Sequence, residues 1–361
     1  MNGSKLVIWG YFTENLGDDL MLKAFLASVK NRYKKIYISS RREYKALYSD
    51  LGVKVISQNA LIFRGLNKLF YLANRPELYF RLLSSGNADF VMLGGSLFME
   101  TQGARNERQI KDLKYAVDHA NNAYVIGSNF GPYHTKKFFR EYKEIFGKCR
   151  HICFRDKFSY DLFADMPNVH YAPDIILSGA WDEKPKANGG DGAVVISAID
   201  LKNRPGLQSK TEEYEKLLAD IAMYHMEKEQ RVLLAAFCEW EGDVEACRRI
   251  KALCGNDGPQ IAVYKGPGFL KLLAGAKKIY GSRFHAIILA MYYGIPCVPF
   301  VYSEKTSNAL AAYCASFQPV DITKLPEYSF DDITKNFREP ELLPNIREAA
   351  MRQFEGINEC F

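Results

Sequence analysis

The sequence predicts an α/β protein made of two Rossmann-like domains of similar size facing a cleft. Three observations predict it. The chain has 361 residues, too long for one ordinary domain and comfortable for two. Short apolar runs alternate with helical patterns along the whole length, the pattern of parallel sheets covered by helices on both faces. One stretch, Ser178–Gly192 (SGAWDEKPKANGGDG), has no periodicity and reads as a linker.

The first series of strand candidates is Lys5–Gly10, Lys35–Ser39, Val53–Ile56, Phe90–Leu93, Ala123–Ile126 and His151–Phe154, which defines an N-terminal domain over 1–177. The second is Ala193–Ser197, Arg231–Ala236, Gln260–Tyr264, Lys278–Gly281 and Cys297–Val301, within a C-terminal domain over 193–340. Helical patterns fall between them, among them Asp18–Lys30, Glu107–Ala120, Thr211–Met226 and Asp243–Leu253. A last helical segment, Leu342–Ile357, is expected to cross back onto the first domain. No internal repeat and no low-complexity segment interrupts this order.

Hydrophobic residues make up 48% of the chain, enough for real cores and against disorder. The 48 Lys and Arg exceed the 42 Asp and Glu, a net charge of +6 that suits an anionic substrate or an anionic membrane surface. No basic run carries the aromatic interleaving of a nucleic-acid module. The eight cysteines form no CxxC pair; Cys149 and Cys153 flank His151, but a second ligand cluster is missing, so no metal site is expected. A reduced, cytosolic protein is expected. The N-terminal apolar run is too short for a signal peptide, and the most apolar stretch, Ala286–Tyr302, is broken by Gly294, Pro296 and Pro299, so it reads as a buried helix and strand.

In open parallel sheets ligands lie at the C-terminal ends of strands. The segment Tyr280–Pro296, YGSRFHAIILAMYYGIP, ends a strand at Gly281 and starts a helix near Arg283, whose first turn carries Arg283 and His285. Free backbone N–H groups, the positive dipole end, a guanidinium and an imidazole then converge on an anion. The plainer reading is an Arg packed on the sheet and a His satisfying a core carbonyl; Lys305 at the next strand end favours the anion. The loop Gly10–Leu26, GYFTENLGDDLMLKAFL, is different: Asp18 and Asp19 would repel phosphate. With Asn15 and Gly17 they suit neutral hydroxyls, as on a sugar, and Asp18 is either a base or a helix cap.

The motifs as a set resemble the polysaccharide pyruvyltransferase family. Asn15-Leu-Gly-Asp18 resembles its N-x-G-D loop, Gly94-Gly95-Ser96-Leu97-Phe98 its glycine-rich strand end, and Gly127 to Pro132 its G-x-x-x-G-P segment. Arg155-Asp156-x-x-Ser159 is similar to its R-D-x-x-S turn, Ala172-Pro173-Asp174 to its A-P-D, Arg283-Phe284-His285 to its R-x-H and Tyr302-x-x-Lys305 to its Y-x-x-K. Two positions depart: Ser96 replaces the third glycine, and no Arg follows Val195-Ile-Ser until Arg204, which would have to replace it.

The resemblance implies a GT-B-like fold and transfer of the enolpyruvyl group of phosphoenolpyruvate to sugar hydroxyls as a ketal. It implies a place in capsule or exopolysaccharide biosynthesis, with no cofactor or metal. His285 would be the acid, and Asp18, with Asn15, would orient or activate the acceptor. Arg283, Lys305, Arg204 and Ser282 would bind phosphoenolpyruvate. Asn15, Gly17, Gly94, Gly95, Ser96 and Asn129 would hold the acceptor sugar, which such enzymes often take on a lipid diphosphate. Two alternatives stand beside this: a GT-B glycosyltransferase using a nucleotide sugar, with Glu304 the nearest acid for a ribose, and a non-catalytic anion-binding member of a capsule-assembly complex. The segment Leu61–Leu83, rich in Leu, Phe and Tyr with Arg64, Lys68, Arg75 and Arg81, reads either as a core helix pair split at Pro76 or as a peripheral contact with the inner membrane face.

Overall fold

The computed structural model describes residues 5–57, 61–73, 75–85, 87–101, 104–181, 192–302 and 304–358. They form two compact units. The first comprises Met1–Thr13, Asp18–Trp181 and Arg347–Phe361; the second comprises Glu14–Gly17 and Asp182–Ile346. The expected linker falls largely on 182–191, outside the described residues.

The first unit is built on a parallel sheet of β1 (Lys5–Phe12), β2 (Lys35–Ser40), β3 (Lys54–Ser57), β4 (Ala88–Leu93), β5 (Ala123–Ser128), β6 (His151–Phe154) and β7 (Val169–Tyr171). Its order is β3-β2-β1-β4-β5-β6-β7. Every residue of β4, β5 and β6 is buried, Asp89 and His151 included, which is why these strands read as mostly apolar runs without alternation. β7 was not among the expected strands: Val169-His-Tyr171 is too short for any period to show. One face carries an aromatic core in which Phe130 meets Phe146 and Phe163 edge-on, at 6.1 and 4.9 Å between ring centroids.

The second unit holds β8 (Val194–Ser197), β9 (Val232–Ala236), β10 (Gln260–Val263), β11 (Lys278–Gly281), β12 (Cys297–Val301) and β13 (Val320–Asp321). These are parallel in the order β10-β9-β8-β11-β12-β13. The helices Thr211–Met226 and Asp243–Leu253 fall where the periodicity places them.

Three expectations about helices change. The first helix runs Leu16–Ser28, two residues earlier at its start than expected, because the Asn15 carboxamide accepts from Gly17 N at 3.2 Å and caps it. The C-terminal segment is shorter pieces, Ile346–Met351, a 3₁₀ turn at Arg352–Phe354, and Glu355–Asn358. Its part from Arg347 onward belongs to the first unit, and buried Gln353 ties it there, accepting from Gly127 N at 2.9 Å and donating to the carbonyls of Ala172 (2.8 Å) and Pro173 (3.1 Å). In the aromatic-basic segment a helix covers Leu61–Leu72 and a 3₁₀ turn Phe80–Ser85. Tyr79, Phe80 and Leu83 are buried in the first unit, while Leu69 and Leu72 are exposed. Among the described residues no helix is long and apolar enough to cross a membrane.

Candidate functional site

Each sheet has one point where the strand order reverses, between β1 and β4 in the first and between β8 and β11 in the second. There the connecting loops diverge and leave a crevice at the C-terminal strand ends. The candidate residues cluster at these two places.

In the second unit β11 ends at Gly281, where a Cβ would come within 2.8 Å of Ile287 Cγ1. Ser282 N then donates to Ser197 O at 3.1 Å, joining the ends of β11 and β8, and the buried Ser282 hydroxyl accepts from Tyr214 Oη at 2.7 Å. Arg283 is the N-cap, with extended φ and ψ, so the helix proper is Phe284–Tyr293 and starts one residue later than expected.

The Arg283 guanidinium is already committed. It forks onto the fully buried Asp243, with Nε to Oδ2 at 2.8 Å and Nη2 to Oδ1 at 2.5 Å, and reaches Glu241 Oε2 with Nη1 at 2.5 Å. Asp243 Oδ2 also accepts from the backbone N–H groups of Phe237 and Cys238. Burial works against the charge on Arg283, but Asp243 and Glu241 outweigh it and hold the guanidinium protonated, its pKa well above the ordinary value. Arg204 comes to the same carboxylate, Nη2 to Glu241 Oε2 at 3.2 Å, while its Nη1 donates to Tyr302 Oη at 3.1 Å. Burial would raise the Glu241 carboxyl, but Arg283 and Arg204, with the nearby His285, hold it below the usual range.

Asn15 and Gly17, expected beside Asp18 on the first domain, pack in the second unit instead. Asn15 Nδ2 donates to Glu241 Oε1 at 3.1 Å, and Leu16 N donates to Phe237 O. The His285 ring lies against Gly17: a Cβ there would sit 1.7 Å from its Nδ1. The glycine of the N-x-G-D loop is therefore the floor beneath the imidazole. Asn15, Arg204, Arg283 and His285 thus gather around Glu241, with Gly17 against the His285 ring, while Ser282 is tied to Tyr214 and Ser197. Lys305 belongs to the helix Glu304–Ala311, but the side chains of Glu304 and Lys305 lie outside the described residues.

The remaining candidates gather in the first unit. Gly94 has φ +142°, and a Cβ on it would lie 3.5 Å from Asp18 Oδ1. At Gly95 a Cβ would fall 2.4 Å from Arg155 Nη2, so only glycine lets that guanidinium cross. Arg155 donates to Asp174 Oδ2 at 2.8 Å and to Asn129 Oδ1 at 2.9 Å, and the exposed Ser96 hydroxyl is 3.3 Å from the same Asn129 oxygen. Asp18 is the third residue of its helix, not the cap, which is Asn15. Burial raises the Tyr11 phenol; Arg105 opposes that shift and Asp18 adds to it, so Asp18, Tyr11 and Arg105 are neighbours.

Several motif residues turn out to be scaffold. Asp156 caps the helix Lys157–Leu162 through Ser159 N at 2.9 Å, and the Ser159 hydroxyl accepts from Phe130 N at 2.7 Å. Asp174 receives Arg155 and caps the turn at Ile176 N. His151 stacks on His170 at 4.3 Å between buried Cys149 and Cys153, and among the described residues no three His, Cys, Asp or Glu are grouped to hold a metal.

Sequence reasoning missed Glu241 and Asp243. Asp243 was read only as the first residue of a helical pattern, and Glu241 was given no role. An acid on each side of Gly242 directly after a strand was the available signal, but pairing them with Arg283 and Arg204 needs the fold.

A family model described as polysaccharide pyruvyl transferase matches residues 15–304, from the N-x-G-D loop to the helix after β12. The chain belongs to the polysaccharide pyruvyl transferase family. Solved structures of similar fold include the UDP-GlcNAc 2-epimerase from Methanocaldococcus jannaschii in complex with UDP-GlcNAc and UDP (TM-score 0.57, 10% identity, covering 98% of this chain and 99% of that one). The Neisseria meningitidis UDP-GlcNAc 2-epimerase bound to UDP-GlcNAc gives a TM-score of 0.54 at 10% identity, over 98% and 99%. HepE from Anabaena in complex with UDP and glucose gives 0.57 at 11% identity, over 98% and 96%. At such identities the likeness concerns the fold: two parallel-sheet α/β domains of the GT-B type, as the resemblance implied.

Proposed function

We propose that this family member transfers the pyruvyl group of phosphoenolpyruvate to two hydroxyls of a sugar in a surface-polysaccharide precursor, forming a ketal and releasing phosphate. The family match over residues 15–304 carries the reading. The cluster of Arg204 with Arg283 and His285, the last two at the start of a helix, supports it, since the donor brings both a phosphate and a carboxylate.

In the proposed reaction the methylene carbon of the donor takes a proton from His285, leaving an oxocarbenium-like C2. One sugar oxygen adds to C2, the C2–O bond to phosphate breaks, and the second sugar oxygen closes the ketal. The two hydroxyl protons leave, one with the phosphate and one returning to His285, so atoms balance. Arg204 and Arg283 would offset the developing phosphate charge. Asp18, with Gly94, Ser96 and Asn129 in its unit, would orient the acceptor and take a hydroxyl proton on its way out. A cytosolic setting fits the same reading: the described cysteines are all unpaired thiols, most of them buried.

The test is incubation with phosphoenolpyruvate and a panel of lipid-linked sugars, following phosphate release and the mass of the acceptor. A gain of one pyruvate less one water supports the reading. Transfer from a nucleotide sugar, with phosphoenolpyruvate inert, replaces it with glycosyl transfer; stable anion binding without turnover of either donor replaces it with the non-catalytic role.

A further inference from the structure

Two guanidinium groups meet on one carboxylate oxygen in the second unit: Glu241 Oε2 lies 2.5 Å from Arg283 Nη1 and 3.2 Å from Arg204 Nη2. We infer that Glu241 is a built-in counter-ion that occupies the anion seat and must swing out for an anionic ligand to bind, so that it sets the affinity and charge threshold of the site. The inference rests on reading Arg204 and Arg283 as that seat.

The two acids of the cluster are held in unlike ways. Asp243 is fully buried, forks with Arg283 and accepts two backbone N–H groups, which makes it a fixed part of the framework. Glu241 has a side chain 39% exposed, and its partners among the described residues are side chains: Asn15, Arg204 and Arg283. It sits just before Gly242, whose φ of +88° ends the loop in a conformation open to glycine. Rotation about the Glu241 side-chain bonds releases both guanidinium groups without moving Asp243, so Arg283 stays aimed.

The charges make the displacement necessary. Arg204 and Arg283 carry two positive charges, and Glu241 and Asp243 two negative ones. With Glu241 in place, an incoming phosphate meets a neutral cluster and a like charge at contact distance. With Glu241 out, the same phosphate meets a net positive pair beside a helix N-terminus. A second observation points to a ligand: Arg204 Nε is buried and has no hydrogen-bond partner among the described residues. One Glu oxygen engages Arg204 only through Nη2, whereas a larger anion with several acceptor oxygens can take Nε and Nη2 together. A weak monoanion gains too little to evict Glu241; a di- or trianion with two acidic groups gains enough.

The experiment is calorimetric titration of the full-length protein and its Glu241→Gln variant with inorganic phosphate and, separately, with phosphoenolpyruvate. The amide keeps size and an acceptor oxygen but removes the charge. We expect Glu241→Gln to bind inorganic phosphate about tenfold more tightly or better, and to melt slightly earlier without ligand because the free guanidinium groups repel. Glu241→Ala serves as a second variant, expected to tighten phosphate binding in the same direction. Equal or weaker phosphate binding by both variants overturns the inference and makes Glu241 a brace for the arginines. So does binding by none of the three proteins. Failure of the functional reading looks different: the wild type would not consume phosphoenolpyruvate with any acceptor, while the phosphate comparison still reports on Glu241.

Discussion

Gly17→Ala should nearly silence the enzyme while leaving it folded. The added methyl would lie 1.7 Å from His285 Nδ1, 2.2 Å from Cε1 and 2.4 Å from Cγ, where ordinary contact begins at 3.4 Å. The imidazole must therefore retreat by roughly half the distance of a normal contact, a displacement above 1 Å, and misplacement on that scale costs about 100-fold in rate. Folding should be spared. Gly17 is helical, with Ala favoured over Gly there by at most about 1 kcal/mol, and what must move is the end of a half-buried side chain. We expect kcat for phosphate release to fall about 100-fold or more, with thermal unfolding within about 1 kcal/mol of the wild type. His285→Ala and the double variant should match it, since all three remove the same placed imidazole. A Gly17→Ala enzyme with kcat close to the wild type would refute both the role of Gly17 as floor and the acid role of His285.

Other outcomes follow from the same contacts. Arg283→Ala leaves Asp243 buried without its cation and should cost about 3–5 kcal/mol of stability in denaturant unfolding; the sequence suggested mainly a binding loss, and an unchanged unfolding midpoint would restore that view. Asp18→Asn should leave melting unchanged, because Asn15 and not Asp18 caps the helix, yet lower kcat if Asp18 serves the acceptor; matched losses of stability and rate would make it structural. Gln353→Ala strips partners from Gly127 N and from the carbonyls of Ala172 and Pro173, and should destabilise the first unit by about 3 kcal/mol, read by urea unfolding. Burial, helped by His170, pushes His151 down to about 4 from its ordinary 6.5. Between those values the unfolded chain holds a proton that the folded one lacks, so stability should fall by about 2–3 kcal/mol as pH drops through that window. His151→Gln should flatten the slope, and an unchanged pH profile would contradict the assignment.

Much of this molecule can be read from local pattern, and the reason is periodicity. Strands such as His151–Phe154, Lys278–Gly281 and Cys297–Val301 are buried apart from Lys278, so each shows an apolar run within the bounds that the fold gives it. Thr211–Met226 and Asp243–Leu253 likewise keep one apolar stripe each. Where an element is too short to express a period, as with Val169–Tyr171 and Val320–Asp321, nothing marks it. Helix starts depend on one residue each: the Asn15 side chain caps one helix, and the extended backbone of Arg283 delays the other by a residue.

The order of the glycine and charge motifs along the chain was enough to identify the family and to place Arg283 and His285 at a helix start. Their partners were not legible, because each lies on another strand end far away in sequence. Only the parallel sheet, by lining up the ends of β8, β9 and β11, sets Arg204, Glu241 and Arg283 on one oxygen and turns two isolated cations into a balanced cluster. The same holds for Gly17, whose need for a bare Cα follows from a ring that sits 268 positions later in the chain but directly against it in the fold. It holds again for Gly95, Arg155 and Asp174, a glycine and an ion pair that read as separate motifs and form one packed contact. Local sequence determines which backbone states are favourable; which charges neutralise one another is set by distance in space, and that comes only with the sheet.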